Sequence, residues 1–571
     1  MKKIIFKNAV SKLVLTAFVI ILNLHSFDSL AQWSTNPYIN NPICTAAGTQ
    51  ANSIIAADGK GGAIIAWVDD RTGSSIFAQG IDSSGVIKWA TDGILICSDT
   101  FFRGQASIIS DENGGAIITW ADYRNGNDFD IYAQRINENG VVQWAKNGVN
   151  ICSAKGDQSY PIITTDGNGG AIFTWTDSRI FDPIIIPHIY AQGINADGSL
   201  KWTEAAICTN IEGQTQPAIV SDGIGGAFIV WKDARNQSDG TSASDIYAQH
   251  IGSNGLIQWT TDGLSISKAF RIQENPQLTS DGSGGFIVTW QDERNLNDSF
   301  PNNVDIYAQR VKANGDAQWA ANGIPICTDK DKQLFEHITS DESNGAIISW
   351  VTWNGTGNSA TSKICFQRVN GNGTALWQNN GFSVGGGDNQ NPVIVSDGFG
   401  GTFLVFEAKI TSGNEIYAQH ISADGLELWS PFGGIIVTNA YGTQNKPHFV
   451  LDKNGGIIVS WDDTRNTLYD IFAQHIKPDG TLGGSNATEV KNTQSNQSIF
   501  IYPNPVSQEL TVDLKTSPFS IVSLIDLTGR TLETVTGNGK IIFKMGTLKP
   551  SVYFIQIKDG AHEFSKLLIK K

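Results

Sequence analysis

The sequence predicts an all-β protein in which eight copies of a four-stranded sheet close into a ring, followed by a small β-sandwich. Short β-rich runs separated by Gly, Asn and Asp fill most of the chain, without a helical 3.6-residue period. An Asp followed nine residues later by an aromatic residue occurs eight times, and successive copies are 53 to 60 residues apart. A repeat of this length indicates one supersecondary unit stacked against its neighbours. The eight pairs are Asp58/Trp67, Asp111/Trp120, Asp166/Trp175, Asp222/Trp231, Asp281/Trp290, Asp341/Trp350, Asp397/Phe406 and Asp452/Trp461.

The second copy shows how the strands of one unit are predicted. The first strand precedes Asp111, and an Asp-x-x-Gly-Gly turn leads into the second strand, which ends near Trp120. The Asp is expected to cap backbone N–H groups while the glycines adopt positive φ, so we interpret this turn as structural and not as a calcium loop. The third strand contains Gln134, and the fourth is predicted to carry Trp144.

Two further repeated features are interpreted as structural. The motif Asp-x-Arg, as in Asp122 and Arg124, follows the second strand in six copies. An active site is a single place, so a motif repeated around a ring indicates an ion pair, and an Asp before the third strand such as Asp130 is a suitable partner for the Arg. Gln134 has an equivalent in all eight copies and is expected to be a buried amide that joins neighbouring strands by hydrogen bonds.

The start of the chain contains the piece that the last copy lacks. The eighth copy ends at Gly480–Gly484 without a second Trp, whereas Trp33 to Cys44 matches Trp144 to Cys152. The N-terminal segment is therefore expected to supply the outer strand of the last sheet and to close the circle. This pattern resembles the β-propeller superfold, which implies an eight-bladed propeller over residues 32–484.

The lengths of the connections distinguish the two faces of the ring. The turns between the first and second strands, and nearly all those between the third and fourth, keep a constant length. The connections from second to third strand, and from one unit to the next, vary. We call these the uniform face and the variable face. Variable loops on a rigid scaffold are where binding and catalysis are usually found.

Composition and the N-terminus indicate export and exclude several classes of partner. Residues 1–31 have the basic start, apolar run and Ser-Leu-Ala end of a signal peptide. The mature chain contains no other apolar run long enough to cross a membrane. A formal charge of −15 without a Lys/Arg cluster argues against nucleic acid. The six cysteines are interpreted as buried hydrophobes, and we expect no metal, no cofactor and a monomer.

The last residues have a different pattern. Residues 485–498 are polar and are predicted to be a linker, and alternating β runs over residues 499–571 predict a small β-sandwich. The motifs Tyr502-Pro-Asn-Pro505, Asp526-Leu-Thr-Gly-Arg530 and the end Lys566-Leu-Leu-Ile-Lys-Lys571 occur in order. This segment resembles the C-terminal sorting domain of type IX secretion cargo in Bacteroidetes-type bacteria. The resemblance implies the type IX secretion machinery as a partner and a secreted or outer-membrane cell-surface location.

Candidate ligand-binding residues lie where the repeat varies on the variable face. Six residues before the repeat Asp, each copy has a side chain expected at the mouth of a central channel, including Tyr160, Gln216, Phe335 and Lys446. Solvated strand ends or drift between copies would also explain this variation. Copies six and seven lose Asp-x-Arg, and their departures from the repeat add the candidates Glu336, His337, Trp353 and Glu407.

The function that the sequence favours is binding or adhesion at the cell surface, with the variable loops recognising an extracellular glycan or protein. No catalytic motif is visible, so no catalytic residue is assigned. The alternative is a carbohydrate-active enzyme of the glycosidase type, in which Glu336 and Glu407 would be the carboxylates. A scaffold without a specific ligand is the third possibility.

Overall fold

The computed structural model describes residues 33–98, 103–181, 185–236, 243–296, 303–355, 361–385, 387–410, 413–430, 433–483, 500–502, 506–514, 520–526, 530–549, 551–559 and 562–570. These residues form 39 strands, and none of the described residues is helical. The chain divides into two compact units, residues 1–485 and 486–571. The predicted signal peptide (1–31) and linker (485–498) lie outside the described residues.

The first unit consists of eight four-stranded antiparallel sheets, here called blades 1 to 8. The first strand among the described residues is β1 (Asn41–Cys44). Blades 1 and 2 contain β2 (Gln50–Ala57), β3 (Ala63–Asp69), β4 (Ser75–Ile81), β5 (Ile94–Cys97), β6 (Arg103–Ser110), β7 (Ala116–Asp122), β8 (Asp130–Ile136) and β9 (Val149–Cys152). Blades 3 and 4 contain β10 (Gln158–Thr165), β11 (Ala171–Phe181), β12 (Ile185–Ile194), β13 (Ala205–Cys208), β14 (Gln214–Ser221), β15 (Ala227–Asp233), β16 (Asp245–Ile251) and β17 (Leu264–Ser267). Blades 5 and 6 contain β18 (Gln273–Ser280), β19 (Phe286–Asp292), β20 (Asp305–Val311), β21 (Ile324–Cys327), β22 (Lys332–Ser340), β23 (Ala346–Asn354), β24 (Thr361–Val369) and β25 (Phe382–Val384). Blades 7 and 8 contain β26 (Asp388–Ser396), β27 (Thr402–Ile410), β28 (Gly413–Ile421), β29 (Ile435–Thr438), β30 (Gln444–Leu451), β31 (Ile457–Asn466) and β32 (Leu468–Ile476).

The first strand of each blade lies at the centre of the ring. These strands contact each other in a closed circle, from β2 through β6, β10, β14, β18, β22 and β26 to β30 and back to β2. They therefore surround a central channel, and the prediction of an eight-bladed β-propeller is confirmed. Apolar clusters between neighbouring blades form the core; in one of them Ile64 and Ala66 of blade 1 pack with Trp120 of blade 2.

The N-terminal segment closes the ring as predicted. β1 pairs antiparallel with β32, with Asn41 opposite Ala473, and completes blade 8. Trp33 is buried, and its Nε1 donates a hydrogen bond to the carbonyl of Ser83 in blade 1 at 3.1 Å. Trp33 thus takes the place of the second Trp that blade 8 lacks. The N-terminal segment therefore joins the last blade to the first.

The second Trp of each unit does not lie in the fourth strand, contrary to the sequence prediction. Trp144 precedes β9 by five residues and lies in the connection after β8. Its Nε1 donates to the carbonyl of Ala196 in blade 3 at 3.1 Å, and its ring is so close to Gly198 that a Cβ there would lie 2.6 Å from it. Trp144 lies outside the paired strands because its side chain packs against the next blade.

The repeated Asp and Gln hold the turns on the uniform face. Asp111 Oδ1 accepts hydrogen bonds from the backbone N–H groups of Asn113 (2.9 Å) and Gly115 (2.7 Å). Gln134 is buried; its Nε2 donates to the carbonyl of Ala145 at 2.7 Å, and its Oε1 accepts the N–H of Trp144 at 3.0 Å. These side chains satisfy backbone groups that the turns would otherwise leave buried without partners.

The arginine of Asp-x-Arg pairs with the aspartate of its own motif, and not with the aspartate before the third strand. Arg124 Nη2 contacts Asp122 Oδ2, which also accepts the indole N–H of Trp120 at 2.9 Å. Asp130 instead accepts from Asn125 Nδ2 at 3.2 Å. The arginine follows the aspartate of its motif by two residues, so its side chain can fold back along the end of the strand. The carboxylate of this nearer aspartate is therefore its partner.

The cysteines lie inside the blades of the first unit. All six cysteines are buried and none forms a disulfide, and burial raises the pKa of Cys208 to about 12. Over the described parts of the chain, no group of three or more His, Cys, Asp or Glu side chains is arranged to hold a metal ion. No helix long and apolar enough to cross a membrane occurs there either.

The second unit is a small β-sandwich. One sheet has the order β33-β34-β37 and the other β36-β35-β38-β39. Residues of both sheets, such as Val512, Phe543, Val522 and Ile555, share one buried core. The strands are β33 (Phe500–Tyr502), β34 (Glu509–Asp513), β35 (Ser520–Asp526), β36 (Thr531–Gly537), β37 (Lys540–Lys544), β38 (Ser551–Asp559) and β39 (His562–Lys570).

Candidate ligand-binding face

A β-bulge interrupts the inner strand of every blade close to the variable face. The register of all eight first strands shifts by one residue at this point. The second bulge residue is Pro in five blades, and Pro has no N–H to give to the ladder. The first bulge residue has positive φ, between 52° and 59°, at Asn52, Tyr160, Gln216, Asn275, Phe335, Asn391 and Lys446. These are positions that the sequence predicts at the channel mouth; the side chain of the eighth, Gln105, lies outside the described residues.

A cavity of about 500 Å³ lies at the bulges of blades 3, 4 and 5. It brings together two of the predicted ligand-binding residues, Tyr160 and Gln216, which lie on the inner strands of adjacent blades. Asn275 of blade 5 lies next to them and donates its backbone N–H to Gln216 Oε1 at 2.9 Å. The lining consists of Tyr160, Ile162, Thr176, Thr215, Gln216, Pro217, Asn275, Pro276 and Gln277.

The cavity combines an aromatic ring, amides and hydroxyls without any charge among its described lining residues. Tyr160 is 59% exposed, so its ring is accessible to a ligand. Thr176 Oγ1 is buried and has no hydrogen-bond partner within the described structure. A buried hydroxyl without a partner is costly, and a ligand with hydroxyl groups would satisfy it.

Glu336 occupies the second bulge position of blade 6, where five blades have Pro. The side chain is 3% exposed, and its Oε2 accepts a hydrogen bond from Gln291 Nε2 of blade 5 at 2.7 Å. Its Oε1 is buried without a partner among the described residues. Burial raises the pKa of Glu336 to about 8, and burial lowers that of the adjacent His337 to about 4. Burial thus favours the neutral form of the Glu336 carboxyl.

Glu407 lies in a satisfied network between blades 7 and 8. Its carboxylate accepts hydrogen bonds from Asn391 Nδ2 (3.0 Å), Asn414 Nδ2 (2.9 Å) and the backbone N–H of Lys446 (2.8 Å). Lys446 Nζ in turn contacts Asn52 Oδ1 of blade 1 at 2.5 Å. The candidates Glu407 and Lys446 are thus brought together, in an arrangement that joins three consecutive blades.

The other candidates are not assembled into one site. Glu336 contacts blade 5 whereas Glu407 contacts blade 8, so the two carboxylates face opposite neighbours around the ring. Trp353 lies further along β23, opposite Lys332, and its Nε1 is buried without a partner among the described residues. Phe335 is 48% exposed at its bulge in blade 6, outside the cavity of blades 3 to 5.

Thr176 and Gln277 are cavity residues that sequence reasoning missed. Thr176 directly follows the buried Trp175, and the same position carries Glu407 in blade 7 and Asp462 in blade 8. Asp462 accepts the backbone N–H groups of Asn52 (2.7 Å) and Ser53 (3.1 Å) at the bulge of blade 1. The side chain at this position contacts the bulge of the next blade. Its residue type varies among the copies, and this variation is the sequence signal that could have identified Thr176.

Comparison with known proteins identifies the second unit. Residues 500–571 match the family described as the secretion system C-terminal sorting domain. None of the curated proteins compared with the chain matches it. The sorting domain marks the protein for export by the type IX secretion machinery and for a cell-surface or secreted location.

Several solved structures are similar to the chain at low identity. One is an ulvan lyase of a new family of polysaccharide lyases, with 8% identity, 69% of this chain and 96% of that chain covered, and a TM-score of 0.39. An α-L-arabinofuranosidase from Fusarium graminearum has 11% identity, coverage of 66% and 93%, and a TM-score of 0.30. A thermostable family-43 glycoside hydrolase has 12% identity, coverage of 52% and 98%, and a TM-score of 0.28.

Proposed function

We propose that the propeller is an extracellular binding module that recognises a neutral glycan at the cavity of blades 3 to 5. The observation that carries this proposal is the combination of the exposed Tyr160 ring with side-chain amides and the buried, unpartnered hydroxyl of Thr176. Ligand sites are concave and largely apolar, with a few fixed polar groups that orient the ligand. A sugar has an apolar ring face to lie against Tyr160 and hydroxyls that both donate and accept.

The absence of charge in the cavity argues for a neutral glycan. Sulfated or uronate-rich glycans are recognised through Arg or Lys, and the described lining has neither. The chain also has a formal charge of −15, which repels polyanions. Neutral hydroxyl-rich chains, in contrast, match amide and hydroxyl partners such as Gln216, Gln277 and Thr176.

The test is a glycan-array and polysaccharide-binding screen of the mature chain, residues 32–571, followed by titration of the variant Tyr160→Ala. Phe399→Ala is the matched control, because Phe399 is 88% exposed on the uniform-face turn of blade 7. We expect Tyr160→Ala to weaken binding by about tenfold or more and Phe399→Ala to leave it unchanged, since a buried aromatic contact contributes about 1–3 kcal/mol.

Four results would contradict the proposal. Equal effects of the two substitutions would place the ligand elsewhere, and binding of anionic glycans alone would contradict the neutral class. Binding of a protein, with no glycan bound, would favour the protein-recognition alternative. Cleaved polysaccharide in the same screen would show an enzyme in place of a binding module.

A further inference from the structure

Six blades share an arginine slot, which we define as the space above the aromatic residue of the third strand that the arginine of Asp-x-Arg fills. In blade 4, Arg235 contacts Asp233 through two hydrogen bonds (2.6 and 2.8 Å) and donates to the carbonyl of Asp262 at 2.9 Å. Its guanidinium carbon lies 3.8 Å from the ring centroid of Tyr247. The equivalent distance is 3.6 to 4.2 Å for Arg71, Arg124, Arg179, Arg294 and Arg465.

Blade 7 keeps the ring of this slot but has lost the arginine. Ala408 replaces the aspartate of the motif and Ile410 replaces the arginine, whereas Tyr417 retains the aromatic position. A cavity of about 190 Å³ remains there, lined in part by Phe406, Ala408 and Tyr417. The space that a guanidinium fills in six blades is thus open in the seventh.

Two buried polar groups at this slot lack the partners that their chemistry requires. Glu415 stands where blade 4 has Asp245; it is 8% exposed, and within the described residues it forms no ion pair. The contact found for its carboxylate is the Tyr417 hydroxyl, at 3.4 Å. Asn389 lines the cavity, is 2% exposed, and its Nδ2 has no hydrogen-bond partner in the described structure. Asn389 therefore offers the cavity a donor for a carbonyl oxygen. Glu415 lies outside the cavity lining but next to the Tyr417 hydroxyl, and adds negative charge beside the ring.

We propose that blade 7 binds an arginine residue of another protein or peptide in this slot. The guanidinium stacks on the Tyr417 ring beside Glu415, and the backbone carbonyl of the same arginine accepts the hydrogen bond of Asn389 Nδ2. Guanidinium is the cation that fits, because it is planar, stacks on aromatic faces and is weakly hydrated. Lys409 also lines the cavity; its side chain is 61% exposed, and its Nζ lies 3.8 Å from Oδ2 of Asp388, another lining residue.

Blade 6 shows what a slot unsuited to arginine looks like. It has also lost Asp-x-Arg, and a cavity of about 430 Å³ remains. There, however, Cys365 replaces the aromatic ring, and Lys363 stands in place of the acid. Its lining contains Asp329, Lys363 and the ring of Phe382, but it lacks the third-strand ring on which the arginine stacks in six blades. Blade 6 therefore provides the internal control.

The experiment titrates the mature chain with Nα-acetyl-arginine N-methylamide and with the matching citrulline derivative, which has nearly the same shape but no charge. Binding is followed by isothermal calorimetry. The variant Ala408→Asp/Ile410→Arg restores the built-in arginine and fills the slot, and Thr352→Asp/Asn354→Arg is the equivalent change in blade 6. Glu415→Gln is a second, nearly isosteric variant, and the melting temperature of each variant reports folding.

We expect saturable binding of the arginine derivative, at least tenfold weaker binding of the citrulline derivative, and loss of binding in Ala408→Asp/Ile410→Arg. Glu415→Gln is expected to weaken binding about tenfold, and the blade 6 variant to bind as the wild type does. The proposal is overturned if the wild type shows no saturable binding, if both derivatives bind equally, or if binding persists with the slot filled. None of these results depends on glycan binding at blades 3 to 5.

Discussion

Glu336 is expected to make the stability of the propeller fall as pH rises. Burial raises the pKa of this carboxyl from 4.5 to about 8 in the folded protein. Between these values the folded state holds a proton that the unfolded state has lost. The contribution of Glu336 to stability is therefore fully present below about pH 4.5 and is lost as pH rises to about 8.

The size of this effect follows from the shift in pKa. One pH unit within the window changes the free energy of unfolding by about 1.4 kcal/mol, so the loss is roughly 3 kcal/mol at pH 7 and about 4–5 kcal/mol above pH 8. The substitution Glu336→Gln keeps the shape and the hydrogen bond with Gln291 but cannot ionise. We expect the variant to match the wild type near pH 4.5 and to exceed it by about these amounts at higher pH.

Urea unfolding at several pH values between 4.5 and 8.5 measures this difference. Glu342→Gln is the control, because Glu342 is an exposed carboxylate on the uniform-face turn of the same blade, and it is expected to shift the unfolding midpoint little at any pH. A constant difference between Glu336→Gln and the wild type across the pH range would refute the reasoning. So would a variant that is less stable at pH 8, which would mean that the ionised carboxylate has a favourable partner.

Two further predictions concern the ends of the chain. Trp33→Ala removes a buried side chain and its hydrogen bond to Ser83, so we expect the free energy of unfolding to fall by about 3–5 kcal/mol; an unchanged urea midpoint would refute the ring closure. Deletion of residues 498–571 removes the sorting domain, so fractionation of the producing cells is expected to find the protein in the periplasm; normal delivery to the surface would contradict the role of this unit.

The ring was predictable because the sequence pattern of each strand recurs in several copies of the repeat. Constant spacing around Asp111 and Trp120 defines a turn and two strands, and the match between Trp33 and Trp144 identifies the closing segment. The fourth strand was misplaced because Trp144 contacts the next blade, and spacing within one unit carries no information about contacts between units. The predicted partner of Arg124 was wrong for a related reason, since side-chain direction at the strand end decides between two nearby carboxylates.

The candidate site was predictable only in part. Equivalent positions in the repeat identified Tyr160 and Gln216, because a ring brings equivalent positions of adjacent blades together. Glu336 and Glu407 lie in adjacent copies, but they come from different strands and contact opposite neighbours. Thr176 was missed because its role depends on contact with the bulge of the following blade, which no single copy reveals.

The most direct test of glycan recognition is hydrogen–deuterium exchange of the mature chain with and without the polysaccharide that binds it most tightly. We predict slower exchange in residues 158–165, 214–221 and 273–280, the inner strands that carry the bulges of blades 3 to 5. Protection confined to the Asp-x-x-Gly-Gly turns of the opposite face, or no protection at saturating ligand, would contradict the assignment of the binding site.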